Sequence, residues 1–88
     1  ARVDRAEAGT LRAELALRER DLTRAIAAYL AVADAYPELP SGENGLFAAA
    51  QLAMRAKRGD ARDMMSRYLQ RYPQGRFADE ARARLAAP

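Results

Sequence analysis

Few side chains in this sequence could act as catalysts. The candidate nucleophiles are hydroxyl groups, and the chain contains no histidine that could activate one of them and no cysteine. Carboxylate pairs such as Glu7 with Glu14, or Asp79 with Glu80, are better explained as solvated side chains than as an acid–base pair. The hydroxyl groups belong to Thr10, Thr23, Ser41 and Ser66. The sequence therefore predicts no catalytic residue and favours a protein that is not an enzyme.

Metal and cofactor sites are also disfavoured by the residue types present. Zinc and other soft metals prefer histidine and cysteine ligands, and the chain has neither. The five glycines do not follow the spacing of a phosphate-binding loop, and they fall where turns or close helix approaches are expected. We therefore predict no metal site and no cofactor.

The charged residues indicate solvated helix faces. The net charge is +3, but basic and acidic residues alternate, for example in Arg18-Glu19-Arg20-Asp21. Aromatic residues interleaved with arginines could stack on nucleic-acid bases. However, Tyr29, Tyr36 and Tyr72 fall at positions that packing explains better. Nucleic acid is therefore disfavoured as a partner.

Membrane insertion is not expected from the hydropathy of the chain. No apolar run approaches the roughly 20 residues that a membrane-spanning helix needs. No signal peptide or lipidation signal is visible, and the absence of cysteine gives no information about the redox compartment. Composition alone therefore leaves the localisation unknown.

The elements that must position these side chains are helices. Alanine and arginine, both good helix formers, dominate the sequence, while β-branched residues are rare. Apolar residues recur at intervals of three and four residues in segments mostly separated by proline or glycine. The pattern predicts an all-α fold of about five helices in one domain, residues 1–88. The predicted helices cover residues 3–19, 22–36, 42–58, 61–72 and 77–86.

The helix ends and one packing face can be predicted as well. Asp21 and Asp60 are suited to cap the second and fourth helices, and Ser41 or Asn44 the third. Gly59 can adopt the left-handed conformation that closes the third helix. The first helix is expected to pack through its apolar side chains, which are Val3, Ala6, Leu11, Leu15 and Ala16.

An internal repeat emerges when Tyr36-Pro37 is aligned with Tyr72-Pro73, a displacement of 36 residues. A period in the thirties with two helices per unit indicates stacked helical hairpins. The displacement pairs small or apolar residues along both units: Ala25 with Ala61, Tyr29 with Met65, Ala33 with Leu69, Gly45 with Ala81, and Ala49 with Leu85.

The chain resembles a tetratricopeptide repeat (TPR) array, in which each helix–turn–helix unit carries small residues where its helices cross and a closing proline. The resemblance implies antiparallel hairpins stacked as a short right-handed superhelix that binds other proteins. One repeat would cover residues 3–37 and a second 41–73, with 77–86 opening a third. The matching positions are Ala13, Ala25, Tyr29 and Pro37 in the first repeat, and Ala49, Ala61, Met65 and Pro73 in the second.

Two positions depart from the TPR pattern. Arg12 stands where the family usually has leucine, so the first helix could slip by one residue onto Leu11 and Leu15. Gly59-Asp60 lies one residue before Ala61, where the family's turn lies about four residues earlier. Either the fourth helix is one turn short, or the turn falls at residues 55–57.

Two segments, residues 28–37 and 67–81, are similar to the TPRs of bacterial envelope proteins such as the Tol–Pal accessory protein and the β-barrel assembly lipoprotein. Comparable segments occur in bacterial anti-sigma and FecR-like regulators. The envelope resemblance favours the periplasm or cell envelope as the location, while the cytoplasm remains an alternative.

In TPR arrays the first helix of each unit lines a concave groove, and the resemblance carries this role to particular residues. A peptide or partner protein is the expected ligand, and an ordinary solvated face is the alternative. A structural module that self-associates as a homo-oligomer, through residues 77–85 or the first helix, is the second hypothesis, because a short array exposes apolar ends. The predicted partner-binding residues are Glu14, Leu17, Arg18, Leu46, Ala50, Met54 and Lys57, and the same stripe includes Glu7, Thr10, Glu43 and Ala53.

Overall fold

A computed structural model describes all 88 residues as five helices without a strand. The observed boundaries lie within three residues of the predicted ones, so the all-α prediction is confirmed. No helix combines the length and the hydropathy that crossing a membrane requires. The helices are α1 (Arg2–Arg18), α2 (Leu22–Ala35), α3 (Pro40–Arg55), α4 (Ala61–Arg71) and α5 (Ala78–Ala86).

The helices form a stack of hairpins in chain order. Each helix packs against the next one along the chain, and α1 also touches α3. The molecule measures 38 × 29 × 15 Å, and so flat a stack leaves part of its helices open to solvent. Each helix accordingly has exposed residues along one side.

The connections after α2 and α4 have the same backbone structure. Tyr36 and Tyr72 end these helices with φ values of −133° and −130°. The Leu39 amide donates to the Tyr36 carbonyl at 3.1 Å, and the Gly75 amide donates to the Tyr72 carbonyl at 3.0 Å. The prolines that follow the tyrosines prevent further helix. These connections follow the 36-residue displacement predicted from the sequence.

The turns after α1 and α3 also match each other, but at a displacement of 37 residues. Arg20 (φ 59°) and Lys57 (φ 57°) are left-handed, and the hydrogen bonds around both form a Schellman motif. Gly59 has no positive φ, so its predicted role is wrong. The left-handed residue is Lys57, so the turn falls at residues 55–57, and α4, with 11 residues, is also about one turn shorter than α2, with 14.

The predicted helix caps are only partly confirmed. The Asp21 carboxylate accepts a hydrogen bond from the Arg24 amide at 3.0 Å, as a cap should. Asp60 precedes α4, but its carboxylate binds the Arg58 guanidinium instead of a backbone amide. Ser41 and Asn44 do not cap α3, because α3 already begins at Pro40, whose fixed φ suits a first helical position.

The core is centred on α3 and contains large side chains from α2, α3 and α4. The largest fully buried side chains are Ile26, Leu46, Met65 and Tyr68. Phe47 stacks on Phe77 with ring centroids 4.5 Å apart, which joins α3 to the start of α5. Both chain ends therefore lie outside the best-packed part of the molecule.

The face that α1 buries differs from the predicted one. Leu11 is 64% exposed, Leu15 49% and Val3 52%, so the predicted packing through these residues is wrong. A β-carbon on Gly9 would lie 2.5 Å from Val32 Cγ2, which shows how closely α1 and α2 approach. Only small side chains fit into so narrow an interface. The buried residues of α1 are Ala6, Gly9, Ala13 and Ala16.

Candidate docking surface

The part of the predicted partner-binding stripe that lies on α1 is accessible. Glu14 and Arg18 are exposed, and Arg18 has no ion-pair partner. Leu17 is half-buried, because it packs against the hydrophobic core. Glu14 and Arg18 can therefore contact a partner directly, whereas Leu17 offers only part of its side chain.

On α3 the predicted stripe is wrong at three buried positions. Leu46, Ala50 and Ala53 are 0% exposed and belong to the core, so none of them can contact a partner. The sequence prediction transferred the α1 stripe to α3 with the 36-residue displacement of the Tyr-Pro motifs. The turns that end these two helices are displaced by 37 residues, and one residue rotates a helical position by about 100°. Because of this rotation, the predicted stripe falls on the buried face of α3.

The 37-residue displacement identifies the accessible face on both helices, which we call the outer stripe. Its α1 members are separated by three or four residues, and each has an exposed or half-buried counterpart on α3. The stripe presents both signs of charge together with amide groups. Its residues are Glu7, Leu11, Glu14 and Arg18 on α1, and Asn44, Ala48, Gln51 and Arg55 on α3.

The outer stripe contains one large apolar side chain, Leu11, in the middle of α1. The structure exposes four large apolar side chains, and three of them, Val3, Leu11 and Leu15, lie on α1. The fourth, Leu22, opens α2. The accessible apolar surface is thus concentrated on the first hairpin. The hydropathy pattern did not predict this feature, because it places Val3, Leu11 and Leu15 in the core.

Met54 and Lys57 meet in a shallow basic depression at the C-terminal end of α3. Met54 is half-buried against the core, and Lys57 is exposed in the turn. The depression has a volume of about 390 Å³ and is also lined by Arg58, Arg62 and Arg84. These three guanidinium groups bind Asp60, the Leu85 carbonyl and Glu80, respectively. Only the Lys57 ammonium lacks such a partner.

Glu43, which the sequence assigned to the outward stripe, instead joins α3 and α4 to the turn that precedes α5. Its Oε2 atom accepts hydrogen bonds from the Tyr68 hydroxyl at 2.6 Å and the Arg76 amide at 2.8 Å. The Tyr68 oxygen accepts from the Phe77 amide at 3.0 Å. Burial, together with the hydrogen bond to Glu43, raises the pKa of Tyr68 to about 12. A β-carbon on Gly75 would lie 2.3 Å from Glu43 Oε2, so glycine keeps this contact open.

The chemistry available at these surfaces is that of hydrogen bonding, ion pairing and apolar contact. The structure contains no group of three histidine, cysteine, aspartate or glutamate side chains that could hold a metal ion. Every buried polar side-chain atom has a hydrogen-bond partner. The Thr10 hydroxyl, for example, donates to the Ala6 carbonyl at 3.2 Å. Comparisons with protein-family models, with curated proteins and with solved structures found no match to this chain.

Proposed function

We propose that this chain is a non-catalytic, TPR-like interaction module that binds a peptide or a partner protein along the outer stripe. The observation that carries the proposal is the exposure of Leu11, which is 64% accessible among charged residues in the middle of α1. Exposed apolar side chains clustered on one element and rimmed by polar residues are typical of protein-binding surfaces.

The neighbours of Leu11 suggest the chemistry of the ligand. Glu7 and Glu14 lie one turn before and after it on the same face, and both are exposed. A ligand with one apolar residue between basic or amide-bearing residues would match this arrangement. The rigid helices hold these side chains in fixed positions, which lowers the entropic cost of binding. The resemblance to envelope TPR proteins supports the periplasm or cell envelope as the place where such binding occurs.

Selection from a random peptide display library tests the proposal. The dissociation constant of each selected peptide would be measured for the parent chain, for Leu11→Glu and for Gln70→Glu, an exposed control position on α4. We expect Leu11→Glu to weaken binding at least about tenfold and Gln70→Glu to leave it unchanged. Circular dichroism would verify that both variants keep the helical content. Peptides that bind Leu11→Glu as tightly as the parent chain would contradict the proposal.

Self-association is a second candidate function, and the exposure of Leu15 and Val3 beside Leu11 favours it. The terminal helix is less suited to this role than the sequence suggested. Phe77 stacks on Phe47, and Leu85 is partly buried against the core. Sedimentation velocity over a wide concentration range would detect a dimer. If α1 forms the contact, Leu15→Glu restores the monomer, and a monomer at every concentration would exclude this candidate.

A further inference from the structure

A second surface lies between α1 and α2, and we call it the end groove. It begins as a cavity of about 380 Å³ beside Tyr36 and continues into one of about 400 Å³ beside Leu15. Arg12 and Ala28 line both cavities, so the two form one groove. Along α1 the groove runs from Arg5 to Leu15, which is roughly 15 Å or three helical turns.

The floor of the end groove consists of small residues that allow a close approach. Ala8 and Gly9 of α1 face Ala28, Ala31 and Ala35 of α2. At one end the Arg2 guanidinium lies 5.1 Å from the centre of the Tyr36 ring, which closes the groove there. The opposite face of this hairpin is covered, because α3 packs on α2 next to the Tyr29 carbonyl.

In the second hairpin, α2 occupies the surface of α3 that corresponds to the end groove. With the 37-residue displacement, four groove positions of α1 correspond to four buried positions of α3. In α3 this face lies under α2, and a β-carbon on Gly45 would be 2.9 Å from the Tyr29 carbonyl oxygen. No helix covers the same face of α1. The corresponding pairs are Arg5 with Gly42, Ala8 with Gly45, Arg12 with Ala49, and Leu15 with Leu52.

The end groove differs from its counterpart by two arginines. Arg5 and Arg12 stand where α3 has Gly42 and Ala49, and neither forms an ion pair. They are seven residues apart, or about 10.5 Å along the helix. Arg24 also lines the groove, but Glu19 and Asp21 already bind it. A helix that packed here as α2 packs on α3 would have to supply acceptors for the two free guanidinium groups.

We propose that the end groove binds an acidic amphipathic helix of a partner protein. Its small apolar residues pack on Ala8, Ala28 and Ala31, and two carboxylates spaced about two turns apart bind Arg5 and Arg12. An extended strand is not the occupant, because the backbone groups along α1 and α2 are engaged within the helices and cannot pair with a strand. The surface is separate from the outer stripe, so this proposal does not depend on the preceding one.

A second copy of this chain fits the groove less well than an acidic partner helix. Its α1 carries two exposed carboxylates seven residues apart, Glu7 and Glu14, that form no ion pair, but the large side chain of Leu11 lies between them on the same face, where the groove requires small residues. The carboxylates of α5, Asp79 and Glu80, are already bound by Arg82 and Arg84. The chain as a whole has a net charge of +3, so two copies repel each other at long range. A partner with an acidic helix satisfies both the shape and the charge of the groove.

Two synthetic helical peptides of 18 residues provide the test. Both carry an alanine- and leucine-lined face, and two positions seven residues apart hold glutamate in one peptide and lysine in the other. Fluorescence anisotropy would give the dissociation constant of each peptide for the parent chain and its variants. We expect the parent chain to bind the glutamate peptide about tenfold more tightly than the lysine peptide, with the difference shrinking as salt is added.

Three variants locate the binding in the end groove. The double variant Arg5→Glu with Arg12→Glu should reverse the preference between the peptides. Ala31→Trp should weaken the binding of both peptides by filling the groove from an exposed position. The control pair Arg18→Glu with Arg55→Glu makes the same change in net charge on the outer stripe and should leave the preference intact.

Several results would overturn the proposal. The parent chain could bind both peptides equally or show no binding at 1 mM peptide. The control pair could abolish the preference. That result would mean that the peptide binds the outer stripe, or that the preference reflects net charge alone. Finally, sedimentation could show a dimer that the Arg5→Glu and Arg12→Glu pair dissociates, which would make a second copy the occupant.

Discussion

Glu43 and Tyr68 show how single side chains join elements that are distant in the sequence. The carboxylate lies on α3, the phenol on α4, and the amides that they bind belong to Arg76 and Phe77, just before α5. Tyr68 is 0% exposed, so this network lies at the edge of the core and not in solvent. A buried polar group without a partner costs more than its hydrogen bond contributes, so the network makes this arrangement of helices specific.

Tyr68→Phe should lower the free energy of unfolding by about 1–3 kcal/mol. The substitution removes the hydroxyl that donates to Glu43 and accepts from the Phe77 amide, which leaves that amide without its partner. Urea denaturation would measure the change. Tyr36→Phe is the matched control. It removes the same hydroxyl from a tyrosine that contacts Arg2 through its ring. Equal effects of the two substitutions would contradict this account of the network.

The stability of the fold should fall as the pH rises from 10 towards 12. Burial and the hydrogen bond to Glu43 raise the pKa of Tyr68 from 10.0 to about 12, so the folded state holds this proton more tightly than the unfolded state does. Its contribution is therefore fully present below pH 10 and is lost between pH 10 and about 12, by up to roughly 2–3 kcal/mol. Urea denaturation at several pH values would show the fall.

The Tyr68→Phe variant separates this effect from other alkaline titrations. Burial also raises the pKa values of Tyr29 and Tyr72, so their contributions have the same sign and persist in the variant. We expect a smaller loss of stability between pH 10 and 12 in Tyr68→Phe than in the parent chain. An identical pH dependence in both proteins would mean that Tyr68 is not responsible.

At the scale of the helices, prolines and periodicity made the five elements predictable, but they did not predict which face of α1 is buried. Leucine carries more apolar surface than alanine, so a hydropathy pattern assigns Leu11 and Leu15 to the core. The structure selects Ala13 and Ala16 instead, because α1 approaches α2 too closely for larger side chains. The distance between α1 and α2 also depends on the side chains of α2, so it cannot be predicted from the sequence of α1 alone.

The register of the outer stripe was unpredictable for a related reason. The sequence shows the 36-residue displacement of the Tyr-Pro motifs, but no residue type marks the left-handed positions in the turns after α1 and α3. In both turns a long basic residue, Arg20 or Lys57, occupies the left-handed position that glycine usually takes. Gly59, the residue that suggested such a turn, lies two positions beyond it.

Lys57→Gly should stabilise the fold by about 0.5–1 kcal/mol. The left-handed conformation of Lys57, with φ 57°, costs about 1–2 kcal/mol through steric repulsion. Glycine avoids this repulsion, but it loses more conformational entropy on folding. Gly59→Ala should be neutral or slightly stabilising, because Gly59 has no positive φ and open space surrounds its α-carbon. Thermal denaturation would compare the two. Destabilisation by Lys57→Gly together with a large loss at Gly59→Ala would place the left-handed residue at Gly59.

For the whole molecule, a linear stack means that stability depends on position. The helix α3 contacts α2 and α4 extensively, whereas α5 packs mainly on α4 and one long face of α1 remains open. In such arrays each unit is held by its neighbours, so the ends unfold more easily than the middle. The open face of α1 contributes to both proposed binding surfaces, and a bound partner would stabilise the helix that it covers.

Hydrogen exchange should therefore be slowest in α2 and α3 and fastest towards the free end of α5. The amides of Arg76 and Phe77 are exceptions, because Glu43 and Tyr68 accept their hydrogen bonds and hold the start of α5. In Tyr68→Phe we expect protection along α5 to fall about tenfold or more. Protection in α2 and α3 should fall only as far as the loss of global stability requires. Exchange at a single common rate in all five helices, before and after the substitution, would instead show that the stack opens only as one cooperative unit.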